Sequence, residues 1–425
     1  MLQLLPNHVT NDDKLKEEQQ ANIKTANMSL SKNIFIVGAK RTAFGTYGGT
    51  FKSKSPTDLC AHAARAALTS AQVDPALVDT VIVGNVQQTG EDTIYLARHV
   101  GLQAGVNIET PCLTVNRLCG SGFESIASVC RDMMVGDAEI GLAGGAEVMS
   151  QAPYVARSMR WGTKLGVSEP LVDSLWEGLT DKGCGLPMAI TAENLAEQYN
   201  VTREECDEFG ARSQRLWKEA QDAGRFTDEI APYEVKTKKG TTEFAVDEHP
   251  RPSATAEAMA NLPSIFKKNG TVTAGNASGI SDGAGALVLA TEDAVEKHNL
   301  KPMARIVAFQ SSGVDPTIMG IGPAPAIRGV LDKAGMTLDQ IDRIEINEAF
   351  AAQFIACERE LGLNRDICNV NGGAIALGHP TGASGSRIIG HLAHQMQNDK
   401  DLKYTIGSAC IGGGQGIAIL LENCS

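Results

Sequence analysis

Apolar residues in this chain fall in short blocks, several of them closed by glycine and separated by stretches with helical spacing. Ile34-Phe35-Ile36-Val37 is a continuous apolar run and reads as a buried strand ended by Gly38. Asp58 to Ala71 has helical spacing and an alanine-rich, helix-favouring composition. Val78 to Val83 reads as the next strand. Strand, helix, strand predicts an α/β chain with a parallel sheet. Cys112 to Val115 and Tyr404 to Ile406 read as further strands, and Phe123 to Met134 as a helix. Thr202-Arg203-Glu204-Glu205 is a capping box that opens a helix to about Ala223, with Gly224 as its stop.

The pattern repeats. Ala71 to Asp79 leads into Val81-Ile82-Val83-Gly84-Asn85, and Ala334 to Asp342 leads into Ile344-Glu345-Ile346-Asn347, at a constant offset of 263 residues. Val115-Asn116 and Val370-Asn371 each precede a glycine-rich turn and a helix, at an offset of 255. Each is followed by a strand ending in glycines, Gly141 to Gly145 and Gly407 to Gly414. Preserved spacing of this kind predicts two duplicated α/β halves. The region from about 150 to 272 is richer in charge and in irregular segments, and reads as an inserted lid or ligand-binding subdomain.

Length and charge narrow the classes. A chain of 425 residues is long enough for about three domains. Its net charge of −12 argues against a nucleic-acid partner, since duplex affinity comes mostly from neutralising phosphates. No apolar run approaches the roughly 18 residues of a membrane span. Residues 1–31 are polar, contain acidic residues and lack arginine, so they read as a disordered extension and a poor transit peptide. None of the 10 cysteines forms a Cys-x-x-Cys pair, which removes zinc and thioredoxin-type readings.

Cys119 stands out among those cysteines. It lies in Asn116-Arg117-Leu118-Cys119-Gly120-Ser121-Gly122, on an elbow between a strand and a helix. The flanking glycines permit a tight turn and close substrate approach, and the helix N-terminus favours thiolate. His379 sits in the glycine-rich run Gly372 to Gly385, which fits neither phosphate-loop pattern and supplies the base of an activated-thiol pair. Cys410 precedes Ile411-Gly412-Gly413-Gly414, whose amides suit an anion nest, and Asn347 ends a strand. All four fall at the carboxyl ends of expected strands, where α/β sheets gather ligands. His391 and His394, one helical turn apart without a third ligand, read as structural, and Lys236 to Lys239 as a solvated charge run.

Together these segments resemble the thiolase family. The carriers are the Cys-Gly-Ser-Gly elbow, Asn-Glu-Ala-Phe-Ala at 347–351, Gly-Gly-Ala-Ile-Ala-Leu-Gly-His-Pro at 372–380 and Cys-Ile-Gly-Gly-Gly-Gln-Gly at 410–416. The likeness runs from about Ile34 to Leu421 and is strongest to the mitochondrial, 3-ketoacyl-CoA-cleaving branch. Tyr95 to Leu102, Ser150 to Tyr154 and Gly320 to Pro323 support that branch. The resemblance implies the thiolase fold: duplicated αβαβα halves forming a five-layered core with an inserted loop domain. The halves would be 32–150 plus 273–297, and 298–425, with a substrate and coenzyme A loop domain at 151–272.

It also implies an acyltransferase of fatty acid β-oxidation, in which coenzyme A cleaves a 3-oxoacyl-CoA to acetyl-CoA and a shortened acyl-CoA. Cys119 would carry the acyl group, His379 would take its proton, and Cys410 would move the proton on the acetyl carbon. Asn347, through a water, and His379 would form one oxyanion hole; the amides of Cys119 and Gly412 would form the other. Coenzyme A contacts map onto Arg251, Ser278, Met188, Phe266, Ala274 and Phe350. No metal and no tightly bound cofactor are implied; coenzyme A is a co-substrate. A homodimer or homotetramer in the mitochondrial matrix is implied, with a cytoplasmic location as the alternative. Two departures stand out. Ala254 replaces a threonine common in relatives, and Leu186-Pro187-Met188 replaces the His-Met pair of acetoacetyl-CoA-specific members. The rival readings are an acetyl-CoA C-acetyltransferase that condenses two acetyl-CoA, and a catalytically silent coenzyme A binder.

Overall fold

A computed structural model of the chain describes residues 30–237 and 240–424. The expected disordered extension therefore lies outside the described residues except at Leu30 and Ser31, as do Lys238 and Lys239 of the charge run. One ten-stranded sheet organises the rest. Its strands are β1 (Ile34–Arg41), β2 (Gly45–Thr46), β3 (Thr80–Gly84), β4 (Cys112–Val115), β5 (Ile140–Val148), β6 (Ser281–Thr291), β7 (Ala304–Gly313), β8 (Arg343–Ile346), β9 (Tyr404–Ile411) and β10 (Gln415–Asn423). The helices of nine residues or more are α1 (Pro56–Ala71), α2 (Leu96–Ala104), α3 (Ser121–Val135), α4 (Met188–Gln198), α5 (Arg203–Asp222), α6 (Pro323–Ala334), α7 (Ala351–Leu361) and α8 (Ser384–Asn398).

The strand order is β8-β9-β10-β7-β1-β6-β5-β3-β4, with β2 against β6. Read outward from the β1–β7 junction, both arms follow one plan. An antiparallel neighbour comes first, then a second, then a parallel strand. The junction itself is thin, pairing only Ile34, Ile36 and Phe35 with Ile306, Ala304 and Arg305. The sheet is thus mixed where the strand–helix–strand pattern predicts a parallel one. β1 and β3 do point the same way, but β6 and β5 lie between them. Sequence order gives the direction of a crossover and says nothing of strands that a later segment inserts.

Side-chain alternation along the strands builds the layers. Val81 and Val83 face α1 and α2, while Ile82 faces α3. Ala418 and Leu420 face α6 and α7, while Ile417 and Ile419 join the same cluster as Ile82. That central cluster holds Phe123, Ile126 and Val129 of α3 and Ile388, Ile389 and Leu392 of α8. The resulting layers are helices, sheet arm, the α3–α8 pair, sheet arm, helices. Burying several such Ile, Leu and Phe side chains at about 1.5–3 kcal/mol each makes the central layer a large source of stability.

Two glycine-marked boundaries differ from expectation. β1 runs on to Arg41 through a bulge between Ile36 and Gly38. Gly38 is there for contact, since a Cβ would sit 2.6 Å from Ala67 O of α1. β9 likewise continues past Ile406 to Ile411, so Cys410 lies within the strand, opposite Gly416. The capping box at Thr202 and Glu205 is present and opens α5. His391 and His394 are buried on α8. One is bonded to Glu229 and Asn371, the other to Ala39 O.

Candidate active site

The elbow after β4 is held by its own polar groups. Ser121 Oγ accepts from Arg117 N at 2.9 Å and donates to Leu118 O at 2.6 Å. Asn116 Oδ1 accepts from Leu118 N at 2.9 Å. These bonds hold Leu118 in the left-handed region at φ 46°, a conformation that costs a leucine about 1 kcal/mol. Cys119 follows, half-buried, at the start of α3. A Cβ on Gly120 would meet Ile411 Cδ1 at 2.5 Å, and one on Gly412 would meet Leu118 Cδ1 at 3.2 Å. The elbow is therefore packed directly on the turn that follows Cys410.

The thiol does not rest as a thiolate. Burial pushes Cys119 up to about 11, the Glu147 charge adds to the rise, and the backbone N–H groups of Gly412 and Cys119 pull against it. The helix terminus expected to favour ionisation is outweighed by lost hydration. Cys410 is raised well above the usual thiol range, first by burial and next because an ionised Cys119 nearby would repel its thiolate. It is packed with Met319 and Ala349 and flanked by Met188 and Phe350.

His379 N donates to Gly279 O at 2.8 Å, which seats the loop. Its Nδ1 lies 2.6 Å from Ser384 Oγ, and its Nε2 lies 3.3 Å from Asn347 Nδ2. Burial pushes the imidazole down to about 4, so it stands neutral and able to accept a proton. Asn347 Oδ1 is buried without a hydrogen-bond partner among the described residues.

A cavity of about 370 Å³ opens at His379. Met188, Phe266, Ser278 and Phe350 line it, together with Trp176, Tyr47, Met149 and Thr381. Trp176 and Phe266 stack at its wall, 6.3 Å between centroids and 8° between planes. Arg251 and Ala274 stand exposed and outside the lining. Arg251 spends its Nη1 on three carbonyls of its own loop, those of Glu248, His249 and Pro250. Ser384, Glu147 and Trp176 carry contacts here that motif reading passed over. Glu147 left one signal, a carboxylate inside an otherwise apolar and glycine strand. Among the described residues no group of three or more His, Cys, Asp or Glu is arranged to hold a metal ion, and no helix is long and apolar enough to cross a membrane.

A neutral imidazole thus lines an apolar cavity, and the Cys119 elbow is packed on the turn that follows Cys410. Residues 34–293 match the description "Thiolase, N-terminal domain" and residues 300–423 match "Thiolase, C-terminal domain". The chain is 58% identical to the mitochondrial 3-ketoacyl-CoA thiolase of Bos taurus over 93% of its own length and 100% of the relative's. The acetyl-CoA acetyltransferase of Syntrophomonas wolfei is 46% identical over 92% of the chain and 100% of that protein. The crystal structure of human mitochondrial 3-ketoacyl-CoA thiolase in complex with CoA superposes with a TM-score of 0.92 at 57% identity, covering 94% of this chain and 100% of that one. With both halves matched and relatives covered over their full length, the chain belongs to the thiolase family.

Proposed function

We propose that this thiolase cleaves 3-oxoacyl-CoA with coenzyme A, giving acetyl-CoA and an acyl-CoA two carbons shorter, as a step of fatty acid β-oxidation. The observation that carries the assignment of roles is the neutral His379, whose Nε2 faces Asn347 and whose ring lines the cavity. His379 takes the proton of Cys119 as the sulfur attacks the C3 carbonyl. Pairing attack with proton transfer suits a thiol held near 11, since no free thiolate has to form first. The oxyanion formed here and the enolate oxygen formed next are met by two sets of donors, His379 with Asn347 acting through a water, and the amides of Cys119 and Gly412. The C2–C3 bond then breaks, its electron pair passing to the acetyl-CoA enolate. Cys410 protonates the carbon left by that cleavage. Free coenzyme A next attacks the acyl group on Cys119, its thiol proton passing to the Cys410 thiolate, and the cysteine sulfur leaves with the proton held on His379.

Coenzyme A is bound by Met188, Phe266, Ser278 and Phe350 in this reading, with Ala274 and Arg251 at the mouth. Arg251 then turns from its loop carbonyls toward the phosphates. Residues 151–272 act as the loop domain, with the two halves at 32–150 plus 273–297 and at 298–425. Pairing of chains as a homodimer or homotetramer is supported by the exposed Ile94, Tyr95, Ile108 and Leu113 around the edge strand β4. A mitochondrial location is supported by the names of the relatives.

Steady-state kinetics across 3-oxoacyl-CoA chain lengths, in both directions, test the reaction. Thiolysis of medium and long chains is expected to dominate. Turnover confined to acetoacetyl-CoA, with faster condensation than cleavage, would assign the chain to acetyl-CoA C-acetyltransferase instead. Light scattering tests the assembly.

A further inference from the structure

The most densely bonded buried carboxylate near the site belongs to Glu147, which has no solvent exposure. Its Oε1 accepts from Asn85 Nδ2 at 3.1 Å and Gln87 N at 3.0 Å. Its Oε2 accepts from Val86 N at 3.0 Å, Thr381 Oγ1 at 2.9 Å and Gly382 N at 3.0 Å. All five partners are donors, so only a group that accepts on both oxygens satisfies them.

These bonds lead to both reacting groups. On one side, Thr381 and Gly382 belong to the turn that begins at His379. On the other, Val86 O accepts from Asn116 Nδ2 at 3.0 Å, and Asn116 Oδ1 holds Leu118 N, the residue before Cys119. The backbones close in around the same point. A Cβ on Gly145 would lie 1.9 Å from Gly382 O, and one on Gly84 would lie 2.5 Å from the carbonyl carbon of Ser121.

We infer that Glu147 is a positioning residue for acyl transfer: its carboxylate ties the His379 turn and, through Val86 and Asn116, the Cys119 elbow to one fixed point, and so sets the geometry across which the thiol proton passes. The inference rests on Cys119 as the acyl carrier. Proton transfer and nucleophilic attack are steep in distance, and a misplacement of about 1 Å costs on the order of 100-fold in rate. Binding of coenzyme A, assigned above to Met188, Phe266, Ser278 and Phe350, is not steep in the same coordinate.

The test uses the full chain and single-turnover acylation by acetyl-CoA, read by intact mass on Cys119, with coenzyme A affinity measured alongside. Glu147→Gln keeps the shape but turns an amide NH₂ toward at least two of the five donors. It is expected to slow acylation roughly 10- to 100-fold per folded molecule while the Kd for coenzyme A stays within about twofold. Thr381→Val removes one donor on the histidine side alone and is expected to slow acylation several-fold with the same split. This second variant decides the matter if the first does not fold. Acylation within twofold of the unsubstituted enzyme in the folded variants overturns the inference, as does a parallel loss of affinity and rate. Absence of acyl mass on Cys119 in the unsubstituted enzyme overturns the assignment of Cys119 itself, and this inference with it.

Discussion

Asn347 Nδ2 lies 3.3 Å from His379 Nε2, both side chains buried. An amide NH₂ only donates, so the nitrogen it faces carries a lone pair. The ring proton is then on Nδ1 and is given to Ser384 Oγ at 2.6 Å, whose own hydrogen reaches Pro380 O at 3.2 Å. One chain of donors thereby fixes the tautomer that can accept a proton from a thiol.

Ser384→Ala removes the acceptor of that Nδ1 proton. The imidazole loses its orienting bond, and a buried N–H is left unpaired at a cost of about 1–3 kcal/mol. Acylation of Cys119 should slow about tenfold or more, with the second tautomer appearing in the nitrogen NMR of His379. An unchanged tautomer and rate would show that Asn347 alone holds the ring.

Cys119→Ser and Cys410→Ser should fail at different steps. A serine alkoxide is inaccessible near neutral pH, so Cys119→Ser should form no acyl-enzyme. Cys410→Ser should still be acylated by an acyl-CoA and exchange that acyl group with free coenzyme A. It should lose thiolysis and condensation by about 10²–10⁴, the range of general acid–base groups. Rapid mixing with intact mass spectrometry separates the two. Equal loss of acylation in both variants, or retained proton exchange at the acetyl-CoA methyl group in Cys410→Ser, contradicts the division of labour.

Gly145→Ala should be among the most damaging small substitutions in the chain. The added carbon would stand 1.9 Å from Gly382 O, a backbone atom that can move only by displacing the His379 turn. A loss of more than about 3 kcal/mol in stability is expected, from overpacking in a closed site. Normal folding and normal acylation in this variant would show that the turn has more freedom than its contacts imply.

Two buried groups have opposite pH linkage. Burial raises Glu147 from 4.5 to about 7, against its five hydrogen bonds, and lowers His379 from 6.5 to about 4. The Glu147 contribution is fully present below pH 4.5 and is lost as pH rises toward 7. The His379 contribution is fully present above pH 6.5 and is lost as pH falls toward 4. Each spans about 3 kcal/mol, so the two offset between roughly pH 4.5 and 6.5. Denaturant unfolding at those two pH values should expose the balance. Relative to the unsubstituted protein, His379→Gln should gain stability at the acid end by about 3 kcal/mol, and Glu147→Gln should lose a similar amount. Identical pH dependence in all three would refute it.

Much of the local structure was legible along the chain because it is made of near neighbours. The strand Cys112–Val115, the helix that follows Cys119 and the capping box at Thr202 each depend on residues within a few positions of one another. The misplaced strand ends at Gly38 and Ile406 share one cause. Glycine reads locally as a stop, whereas in both strands it lets a helix approach a strand that continues.

The sequence by itself determined the order of the α/β elements and the two-part repeat, and singled out Cys119, His379, Asn347 and Cys410 as candidates, because these depend on residue type and spacing. Tertiary structure alone decided that β1 and β3 are separated by β6 and β5, since that needs a strand from residue 281 onward to arrive between them. It also decided the state of the groups. A helix terminus promised Cys119 a low pKa, but burial raised it, because lost hydration exceeds what one helix end and the Gly412 amide return. Glu147, silent in any local motif, meets its five donors only when residues 85–87 and 381–382 are folded onto β5, nearly 300 residues of chain apart.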